Sequence, residues 1–365
     1  GHKKEEILYI NFEDDRLIGF DTQDFEVLKQ SYEELFPYEP IFFLDEIQNV
    51  PNWEKFARRL ADQKYKVYIT GSNAKMLSGE IATTLGGRFF MHNIYPYSFK
   101  EYLNASNIAI PDNLDYQNNS EIIRTFAQYF TFGGLPELHD VPPIEKRLWL
   151  SSLYNKIFFG DLISRYSIRN DMALKVLVRK LADSVKQPTS FNRMANVVSS
   201  TGQKIKTDTV IEYLKYLEET WLIFSIENIS SKLNDKVSNK KYYFIDNGIL
   251  NLFLTDGNTS LFENMLAIHL RHHYAHELFY YLKDVEVDFY LYDSQIAIQA
   301  CYNMSDISTR NREVGDLIKF AKVFPCKKLY IVTNDEEYEM EESGFKISVV
   351  PLWKFLILDC LKTKV

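Results

Sequence analysis

Ile41-Phe42-Phe43-Leu44-Asp45-Glu46 sets four apolar residues directly before two adjacent carboxylates. A short, continuous apolar run bounded by polar residues fits a strand buried on both faces of a parallel sheet. In such sheets ligands gather beyond the carboxyl ends of the strands, where Asp45 and Glu46 would stand. A pair so placed has the chemistry of a Walker B motif. The first carboxylate holds Mg²⁺, directly or through water, and the second orients or deprotonates an attacking water. Taken alone, an Asp-Glu pair is as well explained by a surface helix cap. The flanking sequence decides between the two.

A second strand of the same kind, Lys66-Val67-Tyr68-Ile69-Thr70, runs into Gly71-Ser72-Asn73. An apolar strand, a small residue and then polar side chains is the layout of a sensor touching a γ-phosphate from the neighbouring strand end. Gly86-Gly87-Arg88 and Tyr95-Pro96-Tyr97-Ser98-Phe99-Lys100-Glu101-Tyr102 follow. Asp45-Glu46-Ile47-Gln48-Asn49-Val50, Thr70-Gly71-Ser72-Asn73, Gly87-Arg88 and Pro96-x-Ser98-Phe99-x-Glu101 together resemble successive motifs of the prokaryotic AAA+-type ATPases. The resemblance is to members that carry a C-terminal domain of unknown function (number 4143). It implies ATP and Mg²⁺ as cofactors, catalytic roles for Asp45, Glu46 and Arg88, and nucleotide contacts from Ser72 and Asn73. For Arg88 two readings stand: a finger or sensor on the nucleotide, or a structural salt bridge.

Ile7-Leu8-Tyr9-Ile10-Asn11-Phe12-Glu13-Asp14 resembles the strand that follows the first helix of these ATPases. A glycine-rich phosphate loop, G-x-x-x-x-G-K-[ST], should precede it, its backbone N–H groups wrapped round the phosphates. The sequence contains no Gly-Lys dipeptide, and Lys75 after Gly71 is misplaced and followed by neither Ser nor Thr. Either the first strand and loop lie upstream of Gly1, or the ATPase is degenerate. The intact later motifs favour the former. The chain as written is expected to bind ATP poorly or not at all.

With 365 residues the chain has room for two or three domains, and a net charge of −8 makes the molecule as a whole a poor nucleic-acid binder. Any such contact must come from a local patch. Cys301, Cys326 and Cys360 have no metal-ligand spacing and cannot all pair, which favours a reducing cytoplasm. No apolar run reaches membrane-spanning length, so no membrane association is expected. Trp53 to Gln63 is amphipathic, with Trp53, Phe56 and Leu60 at helical spacing, and Met76 to Leu85 gives a further helix-like segment. Asn104 to Asn119 reads as a linker.

Ile122 to Phe130 reads as a helix broken by Gly133-Gly134-Leu135-Pro136, and Leu148 to Tyr166 as one long aromatic-rich helix. Residues 174–229 read as a winged helix-turn-helix. Phe191 to Val198 is its first helix, and a second begins near Thr207, capped by Thr209 with Glu212. Val210, Leu214, Leu217 and Trp221 form the buried stripe of that second helix. Lys204, Lys206, Thr207 and Lys215 are candidate nucleic-acid contacts at its entrance and outer face, and Asp208 argues against them.

In the last third, a helix bearing Glu263, the strand Val285 to Leu291, the returning strand Ile296 to Tyr302, a helix from Thr309 to Phe324 and the strand Lys328 to Thr333 look like the PD-(D/E)XK restriction-endonuclease fold. That resemblance assigns Glu263, Asp288 and Gln299 to a metal site. Cys301 stands where the fold needs a lysine, and a thiol cannot supply the positive charge. Lys319 and Arg312 are the available substitutes. The expected site is vestigial, with nuclease activity lost or strongly weakened. His272 and His276, four apart, share a helix face without a third ligand at useful spacing.

The expected architecture is α/β throughout. A parallel-sheet P-loop AAA+ core spans residues 1–110, without its first strand and phosphate loop. A helical and winged-helix region spans 111–235, and a restriction-endonuclease-like α/β domain spans 236–365. The leading functional expectation is a nucleotide-dependent switch whose C-terminal regions bind a DNA or protein partner, as a monomer or oligomer. The alternatives are an ATP-gated metal-dependent nuclease and a non-catalytic DNA-binding or interaction protein.

Overall fold

The computed structural model describes residues 2–72, 83–111, 114, 119–229 and 239–358. Asn73, Cys360 and most of the segment from Met76 to Leu85 lie outside them. The chain divides into two compact units: Gly1–Asn93 with Glu219–Trp221, and Ile94–Glu218 with Leu222–Val365.

The first unit is built on a parallel sheet of β1 (Ile7–Asn11), β2 (Ile41–Asp45) and β3 (Val67–Ile69), in that spatial order. The parallel register aligns Asn11 with Asp45 and Leu44 with Ile69, so the strands end together. Alternation along each strand sends Leu8, Phe42 and Leu44 to one face. There they pack with Phe25 and Tyr32 of α1 (Asp24–Leu35) and with Trp53, Phe56 and Leu60 of α2 (Trp53–Asp62). The amphipathic α2 of the sequence reading is thus a helix that covers the sheet. On the other face, register partners Tyr9, Phe43 and Tyr68 make a transverse aromatic row, with Tyr68 stacked on Phe43 at 4.7 Å. Tyr9 is 63% and Tyr68 53% exposed, so β2 is buried fully on one side only.

The second unit begins with α3 (Phe99–Ala105), whose start explains part of the Pro-x-Ser-Phe-x-Glu motif. Ser98 Oγ accepts from the Glu101 N–H, and Glu101 Oε2 accepts from the Ser98 N–H at 2.7 Å, a reciprocal capping box. Next come α4 (Ser120–Phe132), α5 (Pro143–Asn155), a π-helical stretch over Lys156–Ser164, and α6 (Asp171–Asp183). The long helix expected over Leu148 to Tyr166 is therefore α5 continued by wider π turns.

β4 (Thr189–Ser190), α7 (Phe191–Ser200), α8 (Thr207–Glu219), β5 (Ile223–Asn228) and β6 (Asn239–Phe244) come next. α8 starts at Thr207, so Thr209 is an interior residue and not a cap, and Glu212 accepts from the Tyr216 hydroxyl at 2.6 Å. Val210, Leu214 and Leu217 are buried as the stripe predicts, but Trp221 lies past the helix end in a left-handed backbone conformation.

The remaining elements are α9 (Asn247–Asn251), α10 (Asn258–Tyr274), β7 (Leu278–Leu282), β8 (Glu286–Leu291), β9 (Ile296–Ala300), α11 (Ile307–Ala321), β10 (Lys328–Thr333), β11 (Tyr338–Glu342), β12 (Phe345–Pro351) and α12 (Leu352–Ile357). One mixed sheet joins the strands in the order β11-β12-β10-β9-β8-β7-β5-β6-β4. It crosses the boundary expected at residue 235, because β6 pairs antiparallel with β5 and β4 while β5 pairs parallel with β7. The main division between the two compact units falls at Asn93/Ile94, and the strands on either side of residue 235 share one sheet. Ile296, Ile298 and Val332 pack toward Leu266 and Leu270 of α10 and Trp353 of α12; Ala297, Leu329 and Ile331 pack with Val314 and Leu317 of α11.

Candidate functional sites

At the tip of the first sheet the side chains of two adjacent strands converge. Asp45, the last residue of β2, accepts hydrogen bonds from the Thr70 hydroxyl, just past β3, and from the Tyr9 hydroxyl of β1 at 2.8 Å. The bond to Asp45 raises the Tyr9 phenol above its ordinary range, because it stabilises the protonated hydroxyl. Glu46 adopts a left-handed backbone, φ 51° and ψ 39°, which costs an L-residue about 1 kcal/mol and turns the chain sharply off the strand. Its carboxylate accepts from Ser72 Oγ at 3.1 Å and from the Gln48 amide. The Gln48 carbonyl oxygen beside it is buried and, in the described structure, unpartnered.

Asp45, Glu46 and Ser72, picked from sequence, are therefore brought together, with Thr70 and Tyr9 added by the register. Thr70 was legible in principle, as the residue that follows the second strand; Tyr9 was not, because the register sets it opposite Phe43 and only its long side chain reaches Asp45. Arg88 is engaged elsewhere, in an ion pair with Asp62 at 3.0 Å. The assembled donors are carboxylate and hydroxyl oxygens, the hard set that suits Mg²⁺ and its waters. The orphaned Gln48 oxygen offers a further acceptor to a water or amine. The residues present fit the acidic half of a Mg²⁺-nucleotide site.

In the second unit, Glu263 on α10, Asp288 on β8 and Lys241 on β6 meet in the interior. Lys241 is fully buried, its Nζ 2.9 Å from Asp288 Oδ1, 3.0 Å from Glu286 Oε1 and 3.4 Å from Glu263 Oε1. The Tyr243 hydroxyl donates to Glu263 Oε1 at 2.8 Å, and the Ala300 N–H to Asp288 Oδ2 at 3.0 Å. Burial pushes the Glu263 carboxyl up to about 8, against the pull of the Lys241 charge. The neighbouring carboxylates keep the Lys241 ammonium charged despite its burial.

Gln299 meets Asp288 and Glu286 of this cluster through their backbone groups. Its Oε1 accepts from the Asp288 N–H at 2.8 Å and its Nε2 donates to Glu313 at 2.6 Å. Cys301 is buried, and burial raises its thiol to about 11, so it is neutral. The two suggested substitutes pair on α11, Arg312 with Glu313 at 2.6 Å and Lys319 with Asp316 at 3.9 Å. With the Lys241 ammonium among them these donors do not fit a divalent metal, and among the described residues no group of three or more His, Cys, Asp or Glu side chains is placed to hold one. That covers His272 as well, whose ring packs on Tyr95 at 4.8 Å. Sequence reasoning passed over Lys241, although a lysine inside Lys241-Tyr242-Tyr243-Phe244-Ile245 is the kind of residue that a buried strand admits only with a partner.

Of the candidate nucleic-acid residues, Thr207 donates to Asn192 Oδ1 of α7 at 2.7 Å. Lys204 and Lys206 sit in the connection before α8, and Lys215 is on α8 among Asp208, Glu212, Glu218 and Glu219.

Residues 1–103 match the family model of an AAA domain. Residues 123–260 match a domain of unknown function, DUF8612. The chain is 33% identical over 369 residues to the uncharacterized protein MJ1544 of Methanocaldococcus jannaschii, covering 97% of this chain and 82% of that protein, and it belongs to the same family. It is also 32% identical over 252 residues to an uncharacterized protein of Haemophilus influenzae, covering 68% of this chain and 61% of that protein. Among the described residues no helix is long and apolar enough to cross a membrane.

Proposed function

We propose that this protein is an ATP-dependent molecular switch in which Asp45 and Glu46 form the Mg²⁺ and water-handling half of the nucleotide site. The observation that carries this reading is the convergence of Asp45, Glu46, Thr70 and Ser72 at the ends of two neighbouring parallel strands. Asp45 would hold the cation, and Glu46 would orient or accept a proton from the attacking water. Thr70 fixes the Asp45 carboxylate, while Ser72 and Gln48 fix that of Glu46. The cation, when bound with ATP, supplies charge neutralisation at the phosphates. Asn73 completes the sensor in this proposal, and Arg88 keeps its structural role with Asp62. The phosphate-binding loop that such a site needs is not among these residues, and the reading is tested on the product of the whole gene.

The order α6-β4-α7-α8-β5-β6, with β4 and β5 both antiparallel to β6, supports a winged-helix reading of the middle region. The α8 sequence carries four carboxylates against the one lysine, Lys215, which favours a protein partner over a phosphate backbone. DNA contact through Lys204, Lys206, Thr207 and Lys215 is the competing reading. The succession α10, antiparallel β7-β8-β9, α11 and then β10 parallel to β9 supports the nuclease-like reading of the last third.

Equilibrium titration with MgATP tests the central reading. The whole-gene product should bind at micromolar concentration and Asp45→Asn about tenfold more weakly, a loss of roughly 1.4 kcal/mol. Equal affinity of the two proteins would remove Asp45 from the site.

A further inference from the structure

We infer that Lys241 is the resident cation of the Glu263, Asp288 and Glu286 cluster, and that removing its ammonium opens a divalent-cation site.

Three carboxylates from a helix and a strand converge on the Lys241 Nζ at 2.9 to 3.4 Å. A divalent ion such as Mg²⁺ or Mn²⁺ needs oxygen ligands at roughly 2.0 to 2.2 Å, which places it in the volume that the ammonium fills. The two cations are therefore mutually exclusive. The ammonium cannot swing aside cheaply. Lys241 is a central residue of β6, flanked by β5 and β4, and has no solvent exposure. Its Nζ also lies 5.6 Å from the centre of the Tyr280 ring. Leaving would strand Asp288 and Glu263 as buried, unpaired acids, a large penalty in a low-dielectric interior.

The surrounding hydrogen bonds fit a monovalent occupant. Asp288 Oδ2 accepts from the Ala300 N–H and Glu263 Oε1 from the Tyr243 hydroxyl, which hold both carboxylates in place around the ammonium. Gln299 spends both ends of its amide on Asp288 N–H and Glu313. The fixed charge of lysine thus does structurally what a metal does elsewhere, tying a helix to two strands. It supplies no Lewis-acid centre and no activated water. The inference is independent of the nucleotide site.

Mn²⁺ binding by the full chain, Lys241→Ala, Lys241→Met and the double variant Lys241→Ala with Asp288→Asn decides the matter, read by calorimetry and by the shift in melting temperature. The wild type should take up no Mn²⁺ at the cluster, so its Mn²⁺ uptake and its melting-temperature response should equal those of Asp288→Asn. Lys241→Ala should bind one Mn²⁺ at least tenfold more tightly than any wild-type uptake and melt several degrees higher with the ion, as ligand linkage requires. The double variant should lose that response. Lys241→Met keeps the apolar stem, serves if the alanine variant does not fold, and should also gain Mn²⁺ binding. Wild-type Mn²⁺ binding that Asp288→Asn abolishes would overturn the inference, as would a folded Lys241 variant that binds none. If neither variant folds, the wild-type comparison with Asp288→Asn decides alone, and equal uptake in both upholds the assignment.

Discussion

Thr70 Oγ1, one residue past the end of β3, donates a hydrogen bond to Asp45 Oδ1 at the end of β2. The parallel register that pairs Leu44 with Ile69 makes this contact unavoidable, since the next residue on each strand emerges at the same height. Thr70→Val keeps the shape and deletes the donor. Turnover of MgATP by the whole-gene product should fall about tenfold, and stability by about 1 kcal/mol, since a hydrogen bond to a charged group is lost. Unchanged turnover in a folded Thr70→Val protein would show that Asp45 needs no positioning from β3.

Glu263 predicts a pH dependence of stability. In the unfolded chain a glutamate ionises near pH 4.3, whereas burial holds the native carboxyl up to about 8. Between those values the unfolded state binds fewer protons than the native one, so this group's contribution falls as pH rises. It is fully present below the unfolded value and is lost as pH climbs through about 8. Glu263→Gln retains an acceptor for Tyr243 and Lys241 and removes the titration. Urea midpoints at acidic, neutral and mildly alkaline pH should decline for the wild type and decline less for Glu263→Gln. Parallel profiles would contradict the assignment.

Gly133 carries φ +80°, and a Cβ there would lie 2.1 Å from both carboxylate oxygens of buried Asp246. Asp246 receives the N–H groups of Gly134 at 2.8 Å, Gly248 at 2.8 Å and Ile249 at 3.2 Å, joining the end of α4 to the start of α9. Gly133→Ala combines a disfavoured backbone with a clash against a fixed acceptor. It should cost about 3 kcal/mol or more, measured by chemical denaturation. A loss under about 1 kcal/mol would mean that this junction is far more pliable than its hydrogen bonds imply.

Much of this was legible in the sequence where one local pattern sufficed. Ile41 to Asp45 reads as a strand because apolar continuity needs no tertiary information, and Lys328–Thr333 was read to the residue. The buried stripe of Val210, Leu214 and Leu217 followed from spacing alone. The start of α8 did not: Thr209 and Glu212 have capping-box spacing, but the chain already turns at Thr207, tied to Asn192 fifteen residues earlier. The sheet that runs across residue 235 was not legible for the same reason. Strand order is a long-range property, and nothing near Asn228 announces its pairing with Tyr280. Among the site residues, Asp45, Glu46 and Ser72 cluster because they lie just beyond adjacent strands, whereas the Lys241 partnership with Asp288 spans 47 residues and has no local signature.

Single-turnover ATP hydrolysis by the whole-gene product and its Glu46→Gln variant tests the account most directly. MgATP should bind both proteins alike, while hydrolysis by the variant falls about 100-fold or more, as loss of a general base predicts. Hydrolysis by Glu46→Gln at the wild-type rate would contradict the role assigned to the acidic pair at the tip of β2.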